Sequence, residues 1–143
     1  MGLSRFYECL EVVVYVGVRS GANPVSSKEL CDYQGVKPRH LEPFMQLLVK
    51  SGILKGTKGP KGGYTLAKEK RKITAGDIYN SVMPEFDLKG ASSNNLRCDI
   101  ILPLSDEINK SLMEKLNSIT IEELCGKVSD TKTLKEDSKE FYI

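Results

Sequence analysis

The chain has 143 residues, 40% of them hydrophobic and 28% charged, with 21 basic and 19 acidic side chains and a net charge of +2. That length holds one domain or slightly more, with room for a proper core. No apolar run approaches the ~20 residues of a membrane span, and no signal peptide precedes the first predicted helix, so a cytoplasmic protein without a membrane partner is expected.

Residues 4–19 predict an amphipathic helix, with Phe6, Leu10, Val13 and Gly17 on one face and Cys9, Val14 and Val16 beside it. Ser4 is its expected N-cap, and Gly21 and Pro24 break the pattern afterwards. The run Val12-Val13-Val14 also suits a strand, but its charged, helix-favouring flanks decide for helix. Its expected role is core packing.

Residues 26–66 organise the rest. Ser26 stands three residues before Glu29, the spacing of a capping box, and a short helix over 27–33 should end at Gly35. A second helix follows, with Leu41, Phe44, Met45, Leu48 and Val49 recurring at intervals of three and four until Gly52 stops it. Pro43 would cost about 3 kcal/mol in a helix interior. A start near Arg39 or His40, or a kink, is therefore expected. Two strand-like runs, 53–58 and 64–67, flank Gly59-Pro60-Lys61-Gly62-Gly63, which only a turn accommodates. Helix, turn, helix and hairpin in that order make a winged helix-turn-helix.

Charge is concentrated in this region. From Lys37 to Lys72 ten Lys or Arg face two acids, Glu42 and Glu69, a net of +8. The remaining eleven basic and seventeen acidic groups give −6, so the modest overall charge hides a polarised molecule. A basic helix beside a basic hairpin is the footprint of a protein for double-stranded DNA. The glycine-rich tip lacks the spacing of a nucleotide-phosphate loop, and a strand follows it instead of a helix.

Thr74-x-x-Asp77 is a second capping box, opening a helix with Ile78 and Val82 inward that ends before Pro84. The following stretch, including Gly90, Ala91 and Ser92, has no periodicity and predicts a loop. Over 103–116, Leu104, Ile108, Leu112 and Leu116 repeat every four residues, and the economical partner for that stripe is the same helix of a second subunit. Packing on the chain's own first helix is the alternative, and both are compatible. Thr120-x-x-Glu123 opens a short terminal helix through Leu124. The expected organisation is a winged helix-turn-helix DNA-binding domain over 1–83, a flexible sensor-type loop over 84–102, a dimerisation helix and terminal helix over 103–126, and a polar, disordered tail over 127–143. The fold class is mainly α with a small β-hairpin wing.

Several segments are similar to one family: Gln34-Gly35-Val36, Arg39-His40-Leu41-Glu42-Pro43, Gly52-Ile53-Leu54, the run from Lys58 to Tyr64, and Ile73-Thr74. They resemble the Rrf-two family of bacterial regulators over roughly residues 3–124. The resemblance implies a homodimeric winged-helix transcription factor crossing at the long helix. It also implies that Arg39, His40 and Glu42 fall where bases are read, and Lys58 where the wing enters a minor groove. Cluster-binding members carry three cysteines in the loop before the dimer helix. Here that loop has only Cys98, with Ser92 six residues earlier, and a hydroxyl does not replace a thiolate in a soft iron–sulfur site.

Candidate DNA-binding residues are therefore Ser27, Lys28, Lys37, Arg39, His40, Glu42, Lys58, Lys61 and Tyr64. Leu104, Ile108, Leu112 and Leu116 are the dimerisation candidates. No metal ligand set and no cofactor is expected. Cys98, with Arg97 beside it, is either a redox-sensing thiol or a packing residue. Cys9, Cys31 and Cys125 are widely spaced reduced thiols tied to helices. Two functions remain open: a DNA-binding regulator of a pseudo-palindromic operator, most simply a repressor, or a winged-helix module for an acidic protein partner. An enzyme is not expected, because the chain has no nucleophile–base pairing and no telling pair of carboxylates. Neither the operator nor an effector is legible.

Overall fold

The computed structural model describes residues 3–19, 23–84 and 94–131. Helix α1 (Leu3–Arg19) buries Phe6, Cys9, Val12, Val13, Tyr15 and Val16, so the β-branched run is helical and internal. Ser4 lies inside α1 and is not its cap. Helix α2 (Ser27–Gln34) begins at Ser26, whose hydroxyl accepts from the Glu29 amide, and ends at Gly35 with φ 69°. That left-handed turn is open to glycine at little cost.

The capping box at Ser26 is only half made. Glu29 accepts from the Tyr15 hydroxyl at 2.6 Å and lies 3.5 Å from the Arg19 guanidinium. Its carboxylate thus joins α2 to α1 instead of returning to its own helix end. Burial, then the Glu29 hydrogen bond, pushes the Tyr15 hydroxyl up.

Helix α3 (Pro38–Lys50) corrects the expected late start. Pro38 occupies the opening position, where its fixed φ suits the helix, and Pro43 sits within it. The reason is packing. Leu41, Met45 and Leu48 on one stripe are buried, at roughly 1.5–3 kcal/mol each, which exceeds the about 3 kcal/mol of one proline.

Strands β1 (Leu54–Thr57) and β2 (Gly63–Leu66) pair antiparallel, Leu54 opposite Leu66 and Thr57 opposite Gly63. The hairpin does not stand alone. Val25 and Tyr64 exchange both backbone hydrogen bonds, at 2.9 and 2.8 Å, tying the wing to the residues just before α2. After a 3-10 turn at Lys70–Lys72, helix α4 (Ala75–Val82) opens with the complete Thr74–Asp77 box and buries Ile78 and Val82.

The expected loop is partly helical. Residues 85–93, among them Gly90, Ala91 and Ser92, lie outside the described residues, but Arg97–Ile101 forms a π-helical stretch. The Asn94 side-chain oxygen, just before the helical residues 95–96 that lead into it, accepts from the Arg97 amide at 2.8 Å. The stretch runs straight into helix α5 (Leu102–Asn117). Helix α6 (Ile121–Thr131) outlasts its expected end at Leu124, and the rest of the expected tail, 132–143, lies outside the described residues. Paired hydrogen bonds, Ala75 to Ile119 and Ile121 to Ile73, stitch the starts of α4 and α6 together.

One core results. Helix α1 packs on α4 and α6, α3 packs on α2, α4 and β1, and α5 packs on α4 and not chiefly on α1. Leu116 is only 8% exposed and belongs to this core, so its place among the intersubunit candidates is corrected. Leu112 is half-buried, whereas Leu104 and Ile108 remain 49% and 56% exposed. Among the described residues no helix is long and apolar enough to cross a membrane.

The bridge between wing and domain allows a direct test. A Cβ on Gly63 would collide with the Val25 carbonyl and the Ser26 backbone nitrogen, whereas one on Gly56 would meet Tyr64 at an ordinary 3.7 Å. Gly63→Ala should cost about 1–3 kcal/mol in denaturant unfolding, and Gly56→Ala much less. Equal effects would show that the backbone contact at Val25 does not anchor the hairpin.

Candidate nucleic-acid interface

Burying Leu41, Met45 and Leu48 turns the opposite side of α3 to solvent. Arg39, Glu42, Gln46 and Lys50 are all exposed, and their spacing of three, four and four residues puts them on one face. The wing stands beside that face and leaves an open cleft of about 640 Å³. Ser27 of α2, Gln46, Val49 and Lys50 of α3, and Thr57, Lys58 and Tyr64 of the hairpin line it. Burial and then the negative charge of Glu42 push the Tyr64 hydroxyl up, so Glu42 is the acid felt across the cleft.

Of the residues chosen from sequence, Ser27, Lys58 and Tyr64 meet in the cleft, and Glu42 is exposed on α3. Lys61 is exposed in the turn between the strands, which the Gly62 amide closes onto the Gly59 carbonyl at 2.9 Å. Lys37 is the exposed residue preceding α3, and Arg39 lies in its first turn. Lys28 is exposed on α2 but does not line the cleft.

His40 departs from the group. Its Nε2 lies 2.9 Å from Glu8 Oε2 on α1. Gln46, Lys50 and Thr57 were missed. The signal for the first two was available, because they continue the interval of three and four from Arg39 and Glu42. Weighting the N-terminal end of the helix hid it.

The chemistry of this surface suits a polyanion that presents hydrogen-bonding edges. Arg39 and Gln46 offer donors in forked or paired geometry, Glu42 offers an acceptor, and Lys50, Lys58 and Lys61 offer point charges for phosphates. One acid among these cations leaves the surface strongly positive.

The cysteines do not fit a thiolate-held cluster within one protomer. Cys9 on α1, Cys31 on α2 and Cys125 on α6 are buried, and Cys98 alone is exposed. Burial, followed by the charge of Glu8, pushes the Cys9 thiol up to about 12. Burial also raises Cys125, whose Sγ donates to the Val14 carbonyl at 3.7 Å. A soft metal site needs converging thiolates, and three of these sulfurs are core atoms in separate helices. Among the described residues, which include all four cysteines and the single histidine, no three metal-binding side chains gather.

Known proteins show the same assembly. A family model described as Rrf2, iron-dependent transcriptional regulator, matches residues 4–127. The HTH-type transcriptional regulator IscR of Escherichia coli O1:K1 is 30% identical over 114 residues, covering 76% of this chain and 70% of its own. The structure of T. potens IscR superposes with a TM-score of 0.71 at 28% identity, covering 90% of this chain and 88% of that one. Bacillus subtilis CymR, the global cysteine regulator, shares the fold with a TM-score of 0.65 at 24% identity, covering 87% and 95%.

The thiol arrangement has a simple consequence. A disulfide reagent applied to native protein at pH 8 should label one cysteine quickly, Cys98, and the other three only after denaturation. Rapid labelling of two or more on the folded protein would mean that at least one of the α1, α2 and α6 sulfurs is not a core atom.

Proposed function

The chain belongs to the Rrf2 family of transcriptional regulators, and from that premise we propose that it binds duplex DNA as a two-fold dimer. The observation that carries the proposal is the cleft between α3 and the wing, lined by Gln46, Lys50 and Lys58, beside the exposed Arg39 and Glu42 on the same face of α3. In this reading each protomer sets α3 in a major groove, with Arg39, Glu42 and Gln46 toward base edges. The wing lies in the adjoining minor groove, led by Lys58 and Lys61, while Ser27, Lys28, Lys37, Lys50 and Tyr64 hold the backbone. Two-fold symmetry makes the operator a pseudo-palindrome, and occupying it represses transcription. The protein regulates and does not catalyse, and it works in the cytoplasm beside its DNA.

The dimer uses the half of α5 that its own protomer leaves uncovered. Leu104 and Ile108, with Leu96, Ile100 and Ile101 on the preceding turns, are all exposed aliphatic residues. Such a row costs free energy in water and is covered by the same row of a second copy.

We also propose that the protomer holds no conventional iron–sulfur cluster, since only Cys98 is accessible. Stoichiometric iron on protein prepared without oxygen would overturn that. Cys98, at the start of the dimer helix, is then the thiol placed to sense oxidation.

Two sets of variants test the reading. Arg39→Ala should relax sequence preference at a cost of about 1–3 kcal/mol on the selected site, whereas Lys61→Ala should weaken all duplexes alike and flatten the salt dependence. Identical behaviour would erase the division between readers and clamps. For the dimer, Leu104→Glu with Ile108→Glu should give a folded monomer in sedimentation, and an unchanged dimer would place the interface elsewhere.

A further inference from the structure

The recognition helix has a weakly built beginning. Helices α2 and α4 each open on a side chain that accepts a backbone hydrogen bond, Ser26 and Thr74, whereas Lys37 before α3 makes no such bond. At the helix boundary the Lys37 carbonyl accepts from the His40 amide at 2.9 Å and the Leu41 amide at 3.3 Å. Pro43 then removes the bond that a backbone N–H at that position would give to Arg39. The part of α3 carrying Arg39 and Glu42 therefore lacks a side-chain cap and one helical backbone bond.

Contacts from outside the helix supply what is missing. On α1, Glu8 Oε2 meets His40 Nε2 at 2.9 Å, and the Arg5 guanidinium stands 5.0 Å from the centre of the Phe44 ring. His40 and Phe44 meet edge to face, 5.8 Å between ring centres. The last residue of α2 secures the same turn of α1. Gln34 Nε2 donates to the Glu8 carbonyl at 3.0 Å and to Glu11 Oε1 at 2.9 Å. Six side chains from three helices thus form a clasp over the outer start of α3.

We infer that Glu8 and His40 are positioning residues for DNA recognition: Glu8 holds His40, and through it the first turn of α3, at the angle that Arg39 and Glu42 need. His40 acts through this contact and not by reading a base. The inference rests on the DNA-binding function proposed above and assigns Glu8, on a helix otherwise devoted to the core, a part in specificity. The pair is half exposed, so its share in global stability is small. Its effect is local, on a first turn that has no side-chain cap.

The two roles for His40 predict opposite signs for Glu8. If His40 read a base, Glu8→Ala would remove an acid near DNA and bind every duplex as well or better. If the clasp holds, Glu8→Ala lowers the preference for the selected duplex over a random one. The probes are a duplex selected from a random pool by the parent protein and a random-sequence duplex of equal length. Glu8→Ala and His40→Ala should each reduce the affinity ratio three- to tenfold, the double variant no further than the worse single one, and His40→Gln should recover part of the loss through its amide.

A DNA-free readout accompanies this. His40 is the chain's one histidine, so its ring Cε1–H gives an unambiguous NMR signal, and that signal should move on Glu8→Ala. Three results overturn the inference: an unmoved ring signal, an undiminished ratio in Glu8→Ala, or losses that multiply in the double variant. A parent protein that prefers no duplex sinks the DNA-binding function and the positioning role together. A parent that discriminates while Glu8→Ala discriminates equally well sinks the positioning role alone.

Discussion

The structure depends on a single amphipathic constraint in α3. Its inner stripe, Leu41, Met45 and Leu48, must enter a core shared with α2, α4 and β1, and that burial fixes the rotation of the helix about its axis. Once the rotation is fixed, Arg39, Glu42, Gln46 and Lys50 have nowhere to go but outward, along one line. Burial also carries the helix through Pro43. Hydrophobic free energy, being non-directional, sets the rotation well but the tilt of an exposed first turn poorly. Side-chain contacts from α1 and α2 act at that turn.

The wing illustrates a second dependence. A two-stranded hairpin is marginal by itself in water. This one gains a third backbone partner where Val25 and Tyr64 exchange hydrogen bonds, and Gly63 permits the approach by having no Cβ. The Ala67 amide also reaches the Ile53 carbonyl at 2.9 Å at the base of the hairpin, and the Ile53 amide donates to the Leu48 carbonyl of α3 at 3.0 Å. Helix and wing are therefore held in fixed relation by main-chain bonds. That relation makes the cleft a surface of definite shape.

Helix α5 divides its loyalties along its length. Its C-terminal end is locked into the domain by Leu116 and by Asn117 packed close over Gly76 of α4. The N-terminal half, with the π-helical turns before it, turns aliphatic side chains to water. A helix anchored at one end and apolar at the other suits an association surface, consistent with the proposed dimer.

Much of this was legible in the sequence because its causes are local. Ser26 and Thr74 as caps, Gly35 and Gly52 as stops, and the glycine-rich turn between two short strands each depend on a few adjacent residues. The inner stripe of α3 and the winged helix-turn-helix order followed from periodicity. Tertiary structure decided the rest. Glu29 has the spacing of a capping box but finds Tyr15 and Arg19, because a carboxylate takes the better donors that folding brings to it. Leu116 shares a perfect interval with Leu104 and Ile108 yet belongs to the core, since spacing gives a face and not what covers it. The distinction between Cys98 and three buried thiols, and the meeting of His40 with Glu8 across 32 residues of chain, depend on which helices pack together. Sequence supplied the candidate chemistry, and packing chose which of it faces the solvent.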